Sequence, residues 1–216
     1  MLINLNVHDR EVFVAGGGSV GERMALKFFG EGCRVVVGSM NFTESLKRTA
    51  QDGKGKLKLV QLDANKDGVL LQNLVSNARI IVAATNECAL NKDILAKARS
   101  KGALVCVVDN PSESDFSPVA ITNVGDIQIA VYTAGKSPAM ARMLRERVAK
   151  TITPVDVRRV ELLYFARKLA KTRVLHSKTR EDLMHKIIQD KKIDELLQNG
   201  SIEEAKSLVE KAIKEC

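Results

Sequence analysis

The chain has 216 residues, of which 45% are hydrophobic and 28% charged, with a formal net charge of +8. That is enough for one full α/β domain and a smaller companion. No apolar run approaches the roughly 18 residues needed to span a bilayer. The opening Met1-Leu2-Ile3-Asn4-Leu5-Asn6 lacks the basic and long apolar regions of a secretion signal, so a cytoplasmic protein with no membrane partner is expected. Excess positive charge invites nucleic acid, but two Tyr and no Trp leave little aromatic surface for stacking bases. No nucleic-acid partner is expected, and the charge suits a small anionic substrate instead.

In chain order, short apolar runs at Val12–Ala15, Arg34–Val37, Leu57–Val60, Arg79–Ala84 and Leu104–Val108 read as strands. Several are continuously apolar rather than alternating, as in parallel strands buried on both faces. Helical segments at Gly21–Glu31, Ala64–Ser76 and Asn91–Lys101 lie between them. This alternation predicts right-handed βαβ units and a parallel sheet. From Pro111 the pattern changes to a polar loop and two further strands, Ala120–Val124 and Asp126–Thr133, joined at Gly125 as a tight hairpin. The loop Ala134-Gly135-Lys136-Ser137 leads into a helix over Pro138–Lys150, with Ser137 as N-cap and Pro138 at the first helical position. Beyond it, helices are expected at Val155–Lys171, Arg180–Gln189, Lys191–Gln198 and Ile202–Glu215, with Asn199-Gly200 as a stop. Ser201-Ile202-Glu203-Glu204 has capping-box form, and Thr179-Arg180-Glu181-Asp182 resembles a helix start.

Gly16-x-Gly18-x-x-Gly21 leaves the first strand and opens the first helix, the context a dinucleotide-binding loop requires. Gly16 permits the turn, Gly18 lets a pyrophosphate reach the backbone, and Gly21 lets helix and strand pack closely. Ser19 and Val20 then present helix N-terminal N–H groups to the phosphates. The second strand lacks the usual terminal acid for the ribose hydroxyls and ends in Gly38-Ser39-Met40-Asn41. Ser39 or Asn41 can hydrogen-bond a ribose, or Lys47 or Arg48 can help accept a phosphate, which leaves NAD against NADP open. Ala83-Ala84-Thr85-Asn86 places Thr85 and Asn86 on the expected cofactor edge.

Asp109 stands at the carboxyl end of the fifth strand, where a carboxylate can move a proton beside a nicotinamide or simply make a turn with Asn110-Pro111. Thr133-Ala134-Gly135-Lys136-Ser137-Pro138 is a second strand–loop–helix junction suited to an anion, with Arg142 and Arg145 following on the helix, although a capped helix with solvated cations has the same pattern. Cys33, Cys88, Cys106 and Cys216 form no CxxC pair and read as buried or incidental thiols. His8, His176 and His185 are scattered, and no metal site is expected.

Taken in order, Val14-Ala15-Gly16-Gly17-Gly18-Ser19-Val20-Gly21, Ala83-Ala84-Thr85-Asn86, Val107-Val108-Asp109-Asn110-Pro111, Asp115-Phe116-Ser117-Pro118-Val119-Ala120, Gly125 to Val131 and Gly135 to Glu146 resemble the precorrin-2 dehydrogenase family of siroheme synthesis, including the N-terminal half of siroheme synthases. The resemblance covers about residues 1–150. It implies a Rossmann-like NAD-binding domain at 1–110, a small α+β dimerisation and substrate-binding segment at 111–150, and a helical C-terminal domain at 151–216. It implies NAD-dependent oxidation of precorrin-2 to sirohydrochlorin in a homodimer, with Asp109 catalytic and with ferrous iron insertion in some members. A substrate rich in carboxylates gives Thr133, Gly135, Lys136, Ser137, Arg142 and Arg145 a binding role. Thr133 stands where some members carry a phosphorylated serine, a departure from the family pattern. The family usually lacks the ribose-binding acid as well. The competing expectation is a non-catalytic NAD(H)-sensing module, which needs neither Asp109 nor the second loop.

Overall fold

The computed structural model describes residues 2–53, 55–64 and 66–214. Cys216 and the final residue of the last expected helix, Glu215, lie outside them. The chain divides into two compact units, Met1–Pro118 and Val119–Cys216.

The first unit alternates β1 (Glu11–Ala15), α1 (Ser19–Gly30), β2 (Arg34–Ser39), α2 (Glu44–Asp52), β3 (Leu57–Gln61), α3 (Gly68–Asn77), β4 (Ile80–Ala83), α4 (Cys88–Arg99) and β5 (Leu104–Val107). The strands form one parallel sheet in the order β3-β2-β1-β4-β5. Alternate residues feed opposite faces. Phe13, Ala15, Ile81, Ala83, Val105 and Val107 pack with Leu71 and Val75 of α3 and Ile94, Leu95 and Ala98 of α4. Val12, Val14, Val35, Val37, Ile80, Val82 and Cys106 pack with Met24 and Ala25 of α1 and Leu46 of α2. Both faces are covered, which is why the strands read as continuous apolar runs. Each fully buried Val, Ile or Phe contributes about 1.5–3 kcal/mol toward this core. The chain crosses from β3 to β4 on the far side of β1, so the carboxyl ends of β1 and β4 flank a topological switch point, where such sheets bind ligands.

Several elements differ from expectation, among them α4, which begins at Cys88 rather than Asn91. The sequence pattern showed no helix at α2, because only Leu46 of that helix is buried and no apolar stripe marks it. Thr43 caps it by accepting from the Leu46 N–H. α3 starts at Gly68 rather than Ala64, because Asp67 is held back on Asp63, its carboxylate accepting from the Asp63 N–H and its own N–H donating to Asp63 O. After β5 a 3-10 turn, Pro111–Glu113, brings the chain back along that strand. Asp115 accepts from Val105 N–H through its carboxylate and donates its own N–H to Val105 O, while the Ser114 hydroxyl accepts from Val107 N–H and donates to Val107 O.

The second unit opens with an antiparallel hairpin, β6 (Ala120–Val124) and β7 (Ile127–Val131). Gly125 takes φ +57° at the first position of its two-residue turn, a place that favours glycine. A Cβ there would lie 2.5 Å from Val157 Cγ1, so the turn also packs closely on the next long helix. α5 (Pro138–Ala149) lies against the hairpin. α6 (Pro154–Arg173), α7 (Ser177–Gln189), α8 (Lys191–Gln198) and α9 (Ile202–Lys214) share a core that includes Leu162, Ala166, Ala170, Leu197, Ala205 and Val209. α7 begins at Ser177, ahead of the expected Arg180, whose guanidinium instead donates to the Val174 and Leu175 carbonyls and ties down the preceding loop. α6 carries a full capping box, with Thr153 and Asp156 each satisfying the other's backbone N–H. Thr153→Ala should therefore lower the stability of this unit by about 1 kcal/mol, measured by chemical denaturation. No helix among the described residues is long and apolar enough to cross a membrane.

Candidate functional site

The glycine loop divides its tasks by geometry. Gly16 sits at φ +112°, and a Cβ there would fall 2.4 Å from the Ala84 carbonyl oxygen. A Cβ on Gly21 would fall 1.9 Å from Gly16 O, so α1 reaches the strand end only because that position is bare. Gly17, which the motif leaves unspecified, is equally constrained, since its Cβ would lie 2.3 Å from Asn41 O. At Gly18, the N-cap of α1, a Cβ would meet nothing within 4 Å. The loop is thus packed behind and open in front.

It opens onto a groove of about 490 Å³ lined by Gly16–Gly18, Ser39 and Asn41 after β2, Asp63 and Ala64 after β3, and Thr85, Asn86 and Glu87 after β4. Ser19, Val20 and Gly21 form the first turn of α1 behind the loop, where helical N–H groups lack intrahelical acceptors. The open front at Gly18, the helix N-terminus and a groove of ligand size fit a dinucleotide. An acid does line the groove from after β3, Asp63, whose carboxylate pairs with Lys66. Lys47 is paired with Glu44 on α2.

Asp109 is exposed in the turn that follows β5. The Cys88 thiol donates to Oδ2 at 3.1 Å and the Asn91 amide donates to Oδ1 at 3.2 Å. The thiol hydrogen bond is the largest of the influences that hold this carboxyl below its usual range, with Asn91 and the charge of Lys92 adding to it. The same contact pushes the Cys88 thiol up. Cys88 is exposed and engaged, not an incidental buried thiol, whereas Cys33 and Cys106 are buried.

Asn91 is the residue that sequence reasoning missed. It is 1% exposed and is the one buried polar residue among those described. Its Oδ1 accepts from the Thr85 hydroxyl at 2.7 Å and from Thr85 N–H at 3.2 Å, and its Nδ2 also donates to Thr85 O at 3.1 Å. Carboxylates only accept and backbone N–H groups only donate, so the amide has one workable orientation. A signal was present. The buried face of α4 reads Asn91, Ile94, Leu95, Ala98, an amide at the head of an apolar stripe.

The second loop belongs to the other unit. Thr133 Oγ1 accepts from Ser137 N–H and donates to Ser137 O, closing the loop on itself. Ala134 and Gly135 both take left-handed conformations, φ +53° and +75°. Ser137 caps α5 by accepting from Met140 N–H, as its position suggested. Lys136 and Arg142 are exposed. Arg145 turns back onto its own unit, donating to Ile121 O and pairing with Glu146.

Sheet order, glycine loop and groove define a Rossmann-type dinucleotide-binding domain. A family model described as putative NAD(P)-binding matches residues 3–120, and one described as sirohaem biosynthesis protein central matches residues 124–151. A precorrin-2 dehydrogenase of Methanosarcina barkeri is 30% identical over 213 residues, covering 96% of this chain and 89% of that protein. A putative precorrin-2 dehydrogenase of Methanocaldococcus jannaschii is also 30% identical, covering 97% and 96%. A siroheme synthase of Actinobacillus pleuropneumoniae is 27% identical over 96% of this chain but only 41% of its own length. Among solved structures, SirC, a precorrin-2 dehydrogenase, shares the fold with a TM-score of 0.74 over 98% of this chain and 99% of that one, at 22% identity. The chain belongs to the precorrin-2 dehydrogenase family.

Proposed function

We propose that this protein oxidises precorrin-2 to sirohydrochlorin with NAD. The observation that carries the reading is the Asp109 carboxylate tied through Asn91 to Thr85 on the rim of the dinucleotide groove. Bound NAD supplies the hydride acceptor. The protein's part is to orient that acceptor, hold the macrocycle against it and receive the accompanying proton. Gly16, Gly18, Ser19, Val20 and Gly21 seat the pyrophosphate, and Ser39, Thr85 and Asn86 contact the nucleoside and nicotinamide ends. Asp109 takes the proton. Its lowered pKa keeps it charged at neutral pH and makes it a modest base, suited to a macrocycle whose loss of hydride raises its own acidity.

In this reading the loop Thr133, Gly135, Lys136, Ser137 and the helix residues Arg142 and Arg145 bind the substrate carboxylates. Lys136 and Arg142 have exposed cations for this task, and Arg145 chiefly braces the hairpin. The domain at 1–110, the segment at 111–150 and the helices at 151–216 then serve cofactor, substrate and support. The working form is a homodimer. Exposed Tyr132, Met140, Met143 and Val148 on the second unit support a partner there. Free thiols at Cys33, Cys88 and Cys106 support a reducing, cytoplasmic setting.

The test is incubation with precorrin-2 and NAD. NADH and sirohydrochlorin absorbance should rise together, and NAD binding without turnover would favour the sensing module. Repeating the assay on sirohydrochlorin with ferrous iron separates a dehydrogenase from an enzyme that also inserts the metal. Cofactor choice has its own check. Ser39→Asp places a carboxylate where the ribose hydroxyls are held, so NADP binding should weaken by about tenfold or more while NAD binding holds or improves, read by titration of each dinucleotide.

A further inference from the structure

We propose that Asn91 is a positioning residue, which fixes the Asp109 carboxylate relative to Thr85 and so sets the proton acceptor in register with the cofactor edge. The inference rests on the reaction proposed above. Three elements meet at this one amide. It sits in the first turns of α4, its oxygen is filled by the Thr85 N–H and hydroxyl after β4, and its nitrogen is shared between Thr85 O and Asp109 Oδ1 after β5. A buried amide is retained only where its hydrogen bonds are met, and here all of them go to Thr85, on the groove rim, and to Asp109, just beyond it. Nothing in the hydrophobic packing of α4 requires an amide, since its other buried positions are Ile94, Leu95 and Ala98. Cys88 meets the other carboxylate oxygen, but the hydrogen bonds of Thr85 run to Asn91 and Glu87, so Cys88 affects the charge of Asp109 without the register. The charged and titratable groups facing Asp109 are Cys88 and Lys92, both on α4.

Two variants separate the contributions. Asn91→Asp keeps an acceptor for Thr85 but replaces the donor to Asp109 with a second acid. Asn91→Leu removes both ties. Carbon-13 NMR of the Asp109 carboxyl in the full chain should show it titrating higher in both variants than in the wild type, with the Asn91→Asp pair titrating in two coupled steps. The acid limb of kcat should move up with it. In Asn91→Leu, loss of register should lower kcat by about 10²-fold, with a smaller change in KM for precorrin-2. In the unmodified protein, an Asn91 side-chain N–H resonance should shift as Asp109 titrates, a readout that needs neither a variant nor turnover. An Asn91 amide blind to that titration, or variants with wild-type Asp109 titration and kcat, would overturn the inference. If the Asn91 amide follows Asp109 while precorrin-2 is not oxidised, the proposed reaction fails and the tie between the two side chains stands.

Discussion

Asp109→Ala should reduce precorrin-2 oxidation by about 10²–10⁴-fold while NAD binds with near wild-type affinity. The variant removes the carboxylate but little of the scaffold. Asp109 is exposed, and without it Asn91 Nδ2 still donates to Thr85 O. The dinucleotide groove does not include Asp109 among its walls, so dinucleotide titration should be almost unchanged. Asp109→Asn sharpens the result, because it keeps the shape and removes the base. Full activity in either variant, in a steady-state assay, would take Asp109 out of the chemistry and leave the fold intact. The pH dependence has a definite sign. The carboxyl is held below its ordinary range, so it stays charged down to pH values where a free aspartate would protonate, and turnover should fall on the acid side only below that range. The same depression favours the folded state above the ordinary carboxylate range, and that gain is lost as pH drops through the lowered value. Exposure to solvent keeps this contribution small.

Gly18→Val and Gly21→Val should fail in different ways. At Gly18 the new side chain projects into open space on the groove side, so the protein should fold and melt like the wild type. It would occupy the path by which a pyrophosphate approaches the helix N-terminus, and NAD affinity should fall by about 10²-fold, or about 2.7 kcal/mol. At Gly21 even a Cβ would stand 1.9 Å from the Gly16 carbonyl oxygen, well inside contact distance. Backbone has to move, and α1 lifts away from β1, where Met24 and Ala25 are buried. That variant should lose several kcal/mol of stability, of the size seen for overpacked or emptied cores. Calorimetry of the apo protein with NAD titration separates the two. Equal loss of folding in both would remove the distinction between a packed back and an open front.

The sheet was legible because parallel strands buried on both faces are apolar throughout, as β1 and β4 are, although the edge strand β3 carries exposed Lys58. The glycine loop was legible because its spacing is set by backbone approach, which the residue type itself records. α2 was not, since a helix that buries only Leu46 leaves no stripe to read. The capping box at Thr153-Pro154-Val155-Asp156 carries Asp where the usual signature has Glu or Gln, which hides it in the sequence. Within the candidate site, the position of Asp109 followed from its place after a strand. Its partners did not, because Cys88 lies 21 and Asn91 18 residues earlier, and only the packing of α4 beside β5 brings them to it. A polar residue heading an apolar stripe is the trace such a network leaves in one sequence.

The return of residues 114–115 along β5 has a consequence for assembly. β5 ends the sheet, and an unpaired outer strand is a template on which another chain can add a strand. Here the outward N–H and C=O groups of both Val105 and Val107 are already taken by Ser114 and Asp115. The protein has sealed that border with the side chains of Ser114 and Asp115 and the backbone N–H of Asp115. Aggregation by sheet extension is blocked on the side nearest Asp109.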